Sequence, residues 1–526
     1  MKKHLLFFLL SVLSLQLWAT NYYVSPSGNN SNTGLYPNTP FQTIQKGHDV
    51  AAGGDTIFIM DGIYSSSTTT LLKITRSGTA NAYITFKALA GHKPKIFISG
   101  NVWNAVTING NYIVIDGIEL EGNNANITYD QAFAAYTNYI NGTAGPLGNY
   151  NTNGFSIGGP STETRFPHHV VIRNCTVHDF PGGGISSIQA DYTTIENNLV
   201  YNNAWYMMYG GSGISILTPF DSDNVTSYKN IIRNNKCYTN KTTIPWHSIR
   251  KLSDGNGIII DINQYPYGGS PGGVPYVGRT LVENNLCVNN GGSGIHAYRA
   301  NHVDMINNTV YQNATVLADY ANIFANDCVD VNIFNNISYA ANGKKCNSTN
   351  KNINVKYDYN VYFNGSIAVQ GTNDVIADPK FINPSTDIIL SNFKLQSTSS
   401  AIDQGSNVAR QYSLKDILGI SRPQGLKPDC GAYEYTMGVG VVSLNEAEKT
   451  TIFPNPAQKT LTLQLASHPT TNTRIDILNS LGVLMKTQTV TAQTSNISVE
   501  QLSMGLYMVV IHQNERIVSV NKFIKE

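Results

Sequence analysis

Short runs along this chain alternate apolar and polar residues and then break at an asparagine. Six segments share the pattern: VVIRNCTVHD, TTIENNLVYNN, NIIRNNKCYTN, TLVENNLCVNN, VDMINNTVYQN and VNIFNNISYAAN. A period of two predicts strands with one buried face. The first asparagine of each segment falls at 174, 197, 234, 284, 307 and 335, giving steps of 23, 37, 50, 23 and 28. A step near 23 predicts one coil of a parallel β-helix, in which short strands joined by turns stack coil upon coil. In such a stack Ile195, Ile232, Val282 and Ile306 are expected to point inward at one level, and Val200, Cys237, Cys287 and Val310 at another. Asparagines at equivalent places are expected to form ladders along the axis.

Two steps are too long for one coil, by about 14 and about 27 residues, and such excess must leave the coil as loops. The repeat therefore directs attention to residues 204–279. A second column runs beside the asparagines in GGGISSI, GSGISIL, GNGIIID and GSGIHAY, aligned on Gly184, Gly213, Gly257 and Gly294. The isoleucine after each glycine should face the core. Alternation then sends Ser186, Ser215, Ile259 and His296 outward, followed by Ile188, Leu217, Asp261 and Tyr298.

Composition narrows the partners. The net charge of +1 implies no polyelectrolyte, so nucleic acid is excluded as a partner. Charged residues are only 13% of the chain, while Asn, Gly, Thr, Ser and Tyr abound, which suits turn-rich β structure and carbohydrate. The six cysteines fit neither a zinc site nor a dense disulfide framework, leaving buried thiols or a single bridge. The start, MKKHLLFFLLSVLSLQLWAT, reads as a signal peptide over residues 1–20, its apolar run being too short to span a membrane. No cysteine follows it to carry a lipid, and no other segment is long and apolar enough to cross. A secreted or surface-exposed monomer is expected.

The segments at both ends of residues 21–435 carry a resemblance. The opening NYYVSPSGNNSNTGLYPNTPFQTIQKGHDVAAGGDTIFIMDGIY (21–64), ITRSGTANAYITFKALAGHKPKI (74–96) and the closing FKLQSTSSAIDQGSN…PDCGAYEY (393–435) are similar to those of secreted right-handed β-helix proteins, among them the family 9 pectate lyases. After a linker at 436–448, residues 449–526 run TIFPNPAQKTLTLQL…RIDILNSLG…GLYMVV…KFIKE. These resemble the C-terminal sorting domain of type IX secretion cargo, which implies the secretion machinery as a partner. In physical terms this is a small β-sandwich, with strands expected at 459–465, 474–478, 506–512 and 517–523. The expected fold is all-β: a right-handed parallel β-helix, then the sandwich.

The lyase resemblance implies β-elimination on uronic-acid sugars, with a lysine base and a calcium held by aspartates. Neither part of that machinery has a match here. The coil that aligns with the family's lysine is GSGISILTPF (211–220), which has no lysine, and the acidic PFDSDN (219–224) differs in spacing. The candidates must come from the residues themselves. Asp254 and Asp261 flank the Gly257 turn and could act as acid and base, or hold calcium; alternatively Asp254 caps a turn and Asp261 ends a strand. His296, Tyr298 and Arg299 follow one coil later, as a catalytic group or as a polar surface ladder. His302 and Asp304 read as structural. The loop NKTTIPWHSIRKLSDG (240–255) offers Trp246, His247, Arg250 and Lys251, with Lys251 the nearest candidate for an eliminating base. Trp205, Tyr206 and Tyr209 either contact sugar or pack down as a plug. The stretch NQYPYGGSPGGVPYVG (263–278) reads as a lip over the same groove.

The leading expectation is a lyase acting on an acidic polysaccharide, using Lys251, Arg299, Asp261, His296 and Tyr298, with calcium at Asp254 and Asp261. Trp205, Tyr209, Trp246, His247 and Arg250 would bind substrate. A glycoside hydrolase using Asp254 and Asp261 is the alternative. A non-catalytic glycan-binding or adhesive protein is the third.

Overall fold

The computed structural model describes residues 19–159, 166–264, 275–408, 410–436 and 450–526, apart from 466–467, 470–472, 480–483 and 514–515. Residues 1–18 of the stretch read as a signal peptide (1–20), most of the expected lip (265–274) and all but residue 436 of the expected linker (436–448) lie outside the described residues. The chain falls into two compact units, one ending at Tyr435 and one running from Thr436 to Glu526.

The first unit is a right-handed parallel β-helix. Its described residues form three parallel sheets of eleven, nine and eleven strands. The first runs from Asn21–Val24 to Ile353–Asp358, the second from Leu72–Ile74 to Thr349–Asn350 and the third from Gly62–Ser66 to Val375–Ile376. One coil illustrates the rest: His168–Arg173 in the first sheet, Thr176–His178 in the third, Ile185–Ile188 in the second, then Asp191–Glu196 back in the first. A single core fills the tube. All six cysteines are free and buried, so the thiol reading holds and no bridge forms.

The asparagine pairs have divided roles. The first of each pair turns the corner between the first and third sheets, at φ of 53–57° for Asn174, Asn197, Asn234, Asn284, Asn307 and Asn335. This left-handed backbone is one that asparagine tolerates better than most residues. The second points inward and ladders. Asn198, Asn235, Asn285, Asn308 and Asn336 each donate a side-chain N–H to the amide oxygen of the next, the last reaching Asn360, at 3.0 Å throughout. A parallel ladder of Asn203, Asn240, Asn290, Asn313 and Asn322 does the same at 2.8–3.2 Å. The first-position asparagines have a second use late in the stack. Asn284, Asn307 and Asn335 donate to Ser413, Asp429 and Gln411 and so fasten the closing segment to the outside of the tube.

One register differs from expectation. Val282 pairs with Met305, not Ile306, because Met305 stands two residues before its asparagine pair as Ile195, Ile232 and Val282 do. A slip of one residue reverses the face; Ile306 points outward.

The extra residues leave the coils on both flanks of the second sheet. Residues 202–213 and 239–257 precede strands Ile214–Leu217 and Ile258–Asp261, and 218–227 and 262–278 follow them. A further insertion was not anticipated: the helix Tyr129–Ile140, started by a capping box of Thr128 and Gln131. It buries Tyr136 against Tyr206, Met208 and Ile244. The acidic PFDSDN stretch also has a structural role. The fully buried Lys229 ammonium is held by Asp191, Asp221 and Asp223 at 3.1, 3.0 and 2.9 Å.

The second unit has a three-stranded and a four-stranded antiparallel sheet among its described residues. Leu461 and Leu463 from one sheet share a core with Ile475, Ile477, Val509 and Ile511 from the other, the sandwich that the alternation predicts.

Two stability outcomes follow. Asn235→Ala strips partners from Asn198 and Asn285 inside the tube and should cost about 3 kcal/mol by urea denaturation, whereas Asn234→Gly, at a φ glycine accepts freely, should stay within about 0.5 kcal/mol. Lys229→Met leaves Asp191 buried without its cation and should cost about 3–5 kcal/mol in the same assay.

Candidate active site

Five strands of the second sheet stack in register to make the outer face between the flanking loops. One column runs Ser186, Ser215, Ile259, His296, Phe324. The other runs Ile188, Leu217, Asp261, Tyr298, Asn326. Ile258 and Ile260 face the core on the same strand that presents Asp261, so alternation alone aims this carboxyl outward. Asp261 is the one acid in its column.

The face is roofed rather than open. The loop before Ile258 carries Asp254 back over it, at φ 67°. Its Oδ2 lies where a side chain on Gly210 would begin, 2.4 Å from that Cβ position, and Gly210 itself stands at φ 71°. Only glycine permits this approach. From the other side Tyr320 and Phe324 close in on His296, whose ring stacks on Phe324 at 4.0 Å and meets Tyr320 edge-on at 5.6 Å.

Burial without compensation sets the electrostatics. Asp261 Oδ1 is out of solvent, and no group among the described residues bonds to it. Burial, reinforced by the nearby Asp254 charge and opposed by Arg299, pushes its carboxyl well above the usual range. Burial also raises Asp254, though Ser253 donates a hydroxyl hydrogen bond to its Oδ2 at 2.5 Å. The two carboxyls disfavour each other's charge, so Asp261 carries a proton where ordinary aspartates have lost theirs. His296 is 4% exposed, and neither ring nitrogen has a partner among the described residues. Burial pushes it down to about 3, so it is a neutral imidazole. The Thr218 hydroxyl, on the turn of the adjoining coil whose N–H bonds the Asp261 carbonyl, is another buried atom with no protein partner. Buried polar groups are normally paired, and an unpaired set on one face marks a place prepared for something else.

The other expected residues divide. Tyr298 lies beside Asp261, with the Arg299 guanidinium 5.2 Å from its ring centre. Arg299 also pairs with Asp327 at 3.3 Å. Arg250 and Lys251 are exposed on the hairpin that Trp246 and Lys251 close, and no hydrogen bond or ion pair among the described residues joins Lys251 to Asp261. The half-buried His247 packs edge-on to Tyr209 at 4.9 Å. Trp205 is tied to the scaffold: its N–H bonds the Thr239 carbonyl at 3.1 Å and the Lys241 ammonium lies over one face at 4.0 Å. His302 and Asp304 are structural as read, paired with Asp330 and Arg279. His296 faces outward as expected but is covered, because Tyr320 and Phe324 lie over it. Sequence reasoning missed those two rings, since their coil, NIFAND, lacks the glycine on which the column was aligned.

Among the described residues, the donor atoms of Glu119, Glu121 and His178 could converge on a metal. The Lys95 ammonium, however, bonds both glutamates at 2.7 and 2.6 Å, so the chain supplies its own cation there. Asp254 and Asp261 are two carboxyls only, well short of the six to eight oxygens of a calcium cage. The residues present do not fit a resident calcium at this face. A cavity of about 540 Å³ opens elsewhere, along the first sheet, but its Arg279 and Asp304 satisfy each other at 2.6 Å.

Comparison with known proteins agrees with this architecture. Residues 22–141 match the family described as Pel9A-like, right handed beta helix region, and residues 451–526 match the secretion system C-terminal sorting domain. Pectate lyase PEL9 of Emericella nidulans is 32% identical over 109 residues, covering 21% of this chain and 21% of that protein, so the match spans about a fifth of the relative's length. The crystal structure of pectate lyase Pel9A superposes with a TM-score of 0.46 at 16% identity, covering 79% of this chain and 96% of that one. A rhamnogalacturonan lyase superposes at 0.31 and 15% identity, covering 66% and 74%. The chain thus joins a β-helix that resembles the family 9 pectate lyases to a type IX sorting domain, and it is a secreted or cell-surface protein.

Proposed function

We propose that this protein cleaves glycosidic bonds in a polysaccharide and that Asp261 donates the proton to the leaving oxygen. The observation that carries the reading is the Asp261 carboxyl itself: aimed outward, half-buried, with Oδ1 out of water and unbonded among the described residues, and beside a second carboxyl. A carboxylic acid kept neutral by its surroundings is what protonation of a glycosidic oxygen requires. Asp254, closer to the ordinary range and hydrogen-bonded by Ser253, is the carboxylate that activates water. Together they form the acid–base pair of a glycoside hydrolase. Neutral His296 and the Thr218 hydroxyl keep unused hydrogen-bonding atoms at this face, and Tyr298 and Tyr320 pack against the His296 ring.

Elimination on an acidic polysaccharide is the second reading. The pectate-lyase-like match over residues 22–141 favours it, as do Arg299, Arg250 and Lys251, which would neutralise a uronate. It uses the same Asp261 proton on the leaving oxygen and differs in the proton removed from the sugar carbon.

Product analysis separates the readings. Hydrolysis yields reducing ends without ultraviolet-absorbing unsaturated sugars, and elimination yields both. Binding with neither product sinks cleavage and leaves an adhesive role. Chelator should not reduce the activity, because the pair is no calcium cage.

Asp261→Asn should lower activity by about 10²–10⁴-fold. Because it removes an uncompensated acid, the variant should melt at the same temperature or higher. Activity should follow a bell, its acid limb set by Asp254 above the usual carboxylate range and its alkaline limb by the higher Asp261. The sign for stability is fixed too: a raised folded-state pKa means that Asp261 favours folding at low pH and loses that contribution as pH rises through its own value. The melting advantage of Asp261→Asn over wild type should therefore grow from acid to neutral pH. An advantage that is flat across that range would remove Asp261 from its assigned role.

A further inference from the structure

We infer that the cavity over the first sheet is a second, non-catalytic binding site, on a different sheet from Asp261, and that it takes a carboxylate-bearing sugar of an acidic glycan. The site stands whether or not Asp261 cleaves anything.

Strands Arg279–Glu283, Asn301–Ile306, Val329–Phe334 and Ile353–Asp358 lie side by side beneath it. Its volume of about 540 Å³ is that of a small-molecule site. The register stacks Asp304, Asn332 and Lys356 in one outward column, because Met305, Ile333 and Tyr357 beside them face the core. Thr226 and Ser227, from the end of the inserted loop 218–227, and Arg410 and Gln411, from the closing segment, complete the lining.

The floor is fixed and chemically quiet. Asp304 accepts four hydrogen bonds: at Oδ2 from the Tyr228 hydroxyl at 2.5 Å and Arg279 Nε at 2.6 Å, and at Oδ1 from Arg279 Nη2 at 2.6 Å and Asn332 Nδ2 at 2.7 Å. That is the full capacity of a carboxylate. Burial, reinforced by the Asp304 charge, raises the Tyr228 hydroxyl, so it stays a donor. With every lone pair engaged, Asp304 has none to offer as a base. Asp261, with Oδ1 unbonded, is the contrast. This cavity can hold a ligand and has nothing to cleave it with.

The cations around the floor are not used up. Arg279 is balanced by Asp304 and by Asp330, which it shares with His302. Lys356 and Arg410 are exposed, and neither has an ion pair or a side-chain hydrogen bond among the described residues. Two cations without counter-ions on one cavity favour an anion. A guanidinium fork suits the planar carboxylate best, and Lys356 adds a point charge. The hydroxyls of Thr226 and Ser227 and the Gln411 side-chain N–H have no partner among the described residues either, and they suit the hydroxyls that surround the carboxylate of a uronate ring. A bare inorganic anion would leave those groups unused.

The test is lysine footprinting of the full chain carrying Asp261→Asn, by acetylation and peptide mass spectrometry, with trigalacturonate, its methyl ester and citrate as probes. Trigalacturonate should slow acetylation of Lys356 severalfold, less so as salt is raised, and the uncharged methyl ester should leave it unchanged. Adding Arg410→Gln, a change at the exposed rim, should raise the trigalacturonate needed for half-protection about tenfold. Lys356 acetylated at the same rate with and without trigalacturonate overturns the site. Equal protection by citrate overturns the sugar and leaves a simple anion site. Half-protection unmoved by Arg410→Gln overturns the guanidinium's part. Lys251, in the loop before strand Ile258–Asp261, reports on the other face: protection of Lys251 alone overturns the second site and leaves the Asp261 reading standing. Where the wild-type chain cleaves no glycan, the Lys356 footprint still decides this site.

Discussion

An amide buried in an apolar tube must find partners, and in this molecule only the next coil offers them. Each ladder asparagine before the last of its column donates to the amide oxygen of the one that follows. Leaving one unpaired costs more than a typical hydrogen bond gains, so the penalty is directional. It forbids slippage, fixes one asparagine per coil at one level, and holds the strands of all three sheets in register. Residues that do not fit the coil have nowhere to go but outward. The loops that build the functional face are therefore a consequence of the ladder as much as of the loops' own sequences.

The same rigidity lets the site keep groups that a softer fold would rearrange to satisfy. Asp261, His296 and Thr218 hold polar atoms out of water with no partner among the described residues, while inside the tube the asparagines from Asn198 to Asn336 and from Asn203 to Asn313 all donate to a neighbour. The contrast is a division of labour between interior and face. The interior supplies a surplus of stability from apolar contacts and paired amides, and the face draws on it to keep one acid protonated beside another. Lys229 and Lys95 show the alternative, acidic clusters that the fold neutralises internally.

Much of this was legible in the sequence because period and repeat report directly on burial. The asparagine steps gave the coil, the glycine–isoleucine column gave the outward residues, and Asp261 stood out as the sole acid at its level. What escaped depends on contacts between distant segments. Tyr320 and Phe324 reach the face from a coil with no shared motif, and the helix Tyr129–Ile140 sits in an insertion without a repeat to frame it. Trp205 and Trp246 were indistinguishable as letters; the Thr239 carbonyl and the Lys241 ammonium decided that Trp205 belongs to the scaffold. Ile306 was misplaced because counting from the wrong residue by one reverses a strand's face.

The uniformity of the ladder joints has a consequence for how such a protein can change. Where successive asparagines stand 23 residues apart, as from 174 to 197 and from 284 to 307, the surface a coil presents above is a copy of the one it receives below. A whole coil can be duplicated or excised there and the cut ends still meet as matched partners, each event moving the length of the outer face by about 4.8 Å. Evolution can thus set the length of this outer face by counting coils, in fixed increments, without redesigning a single contact.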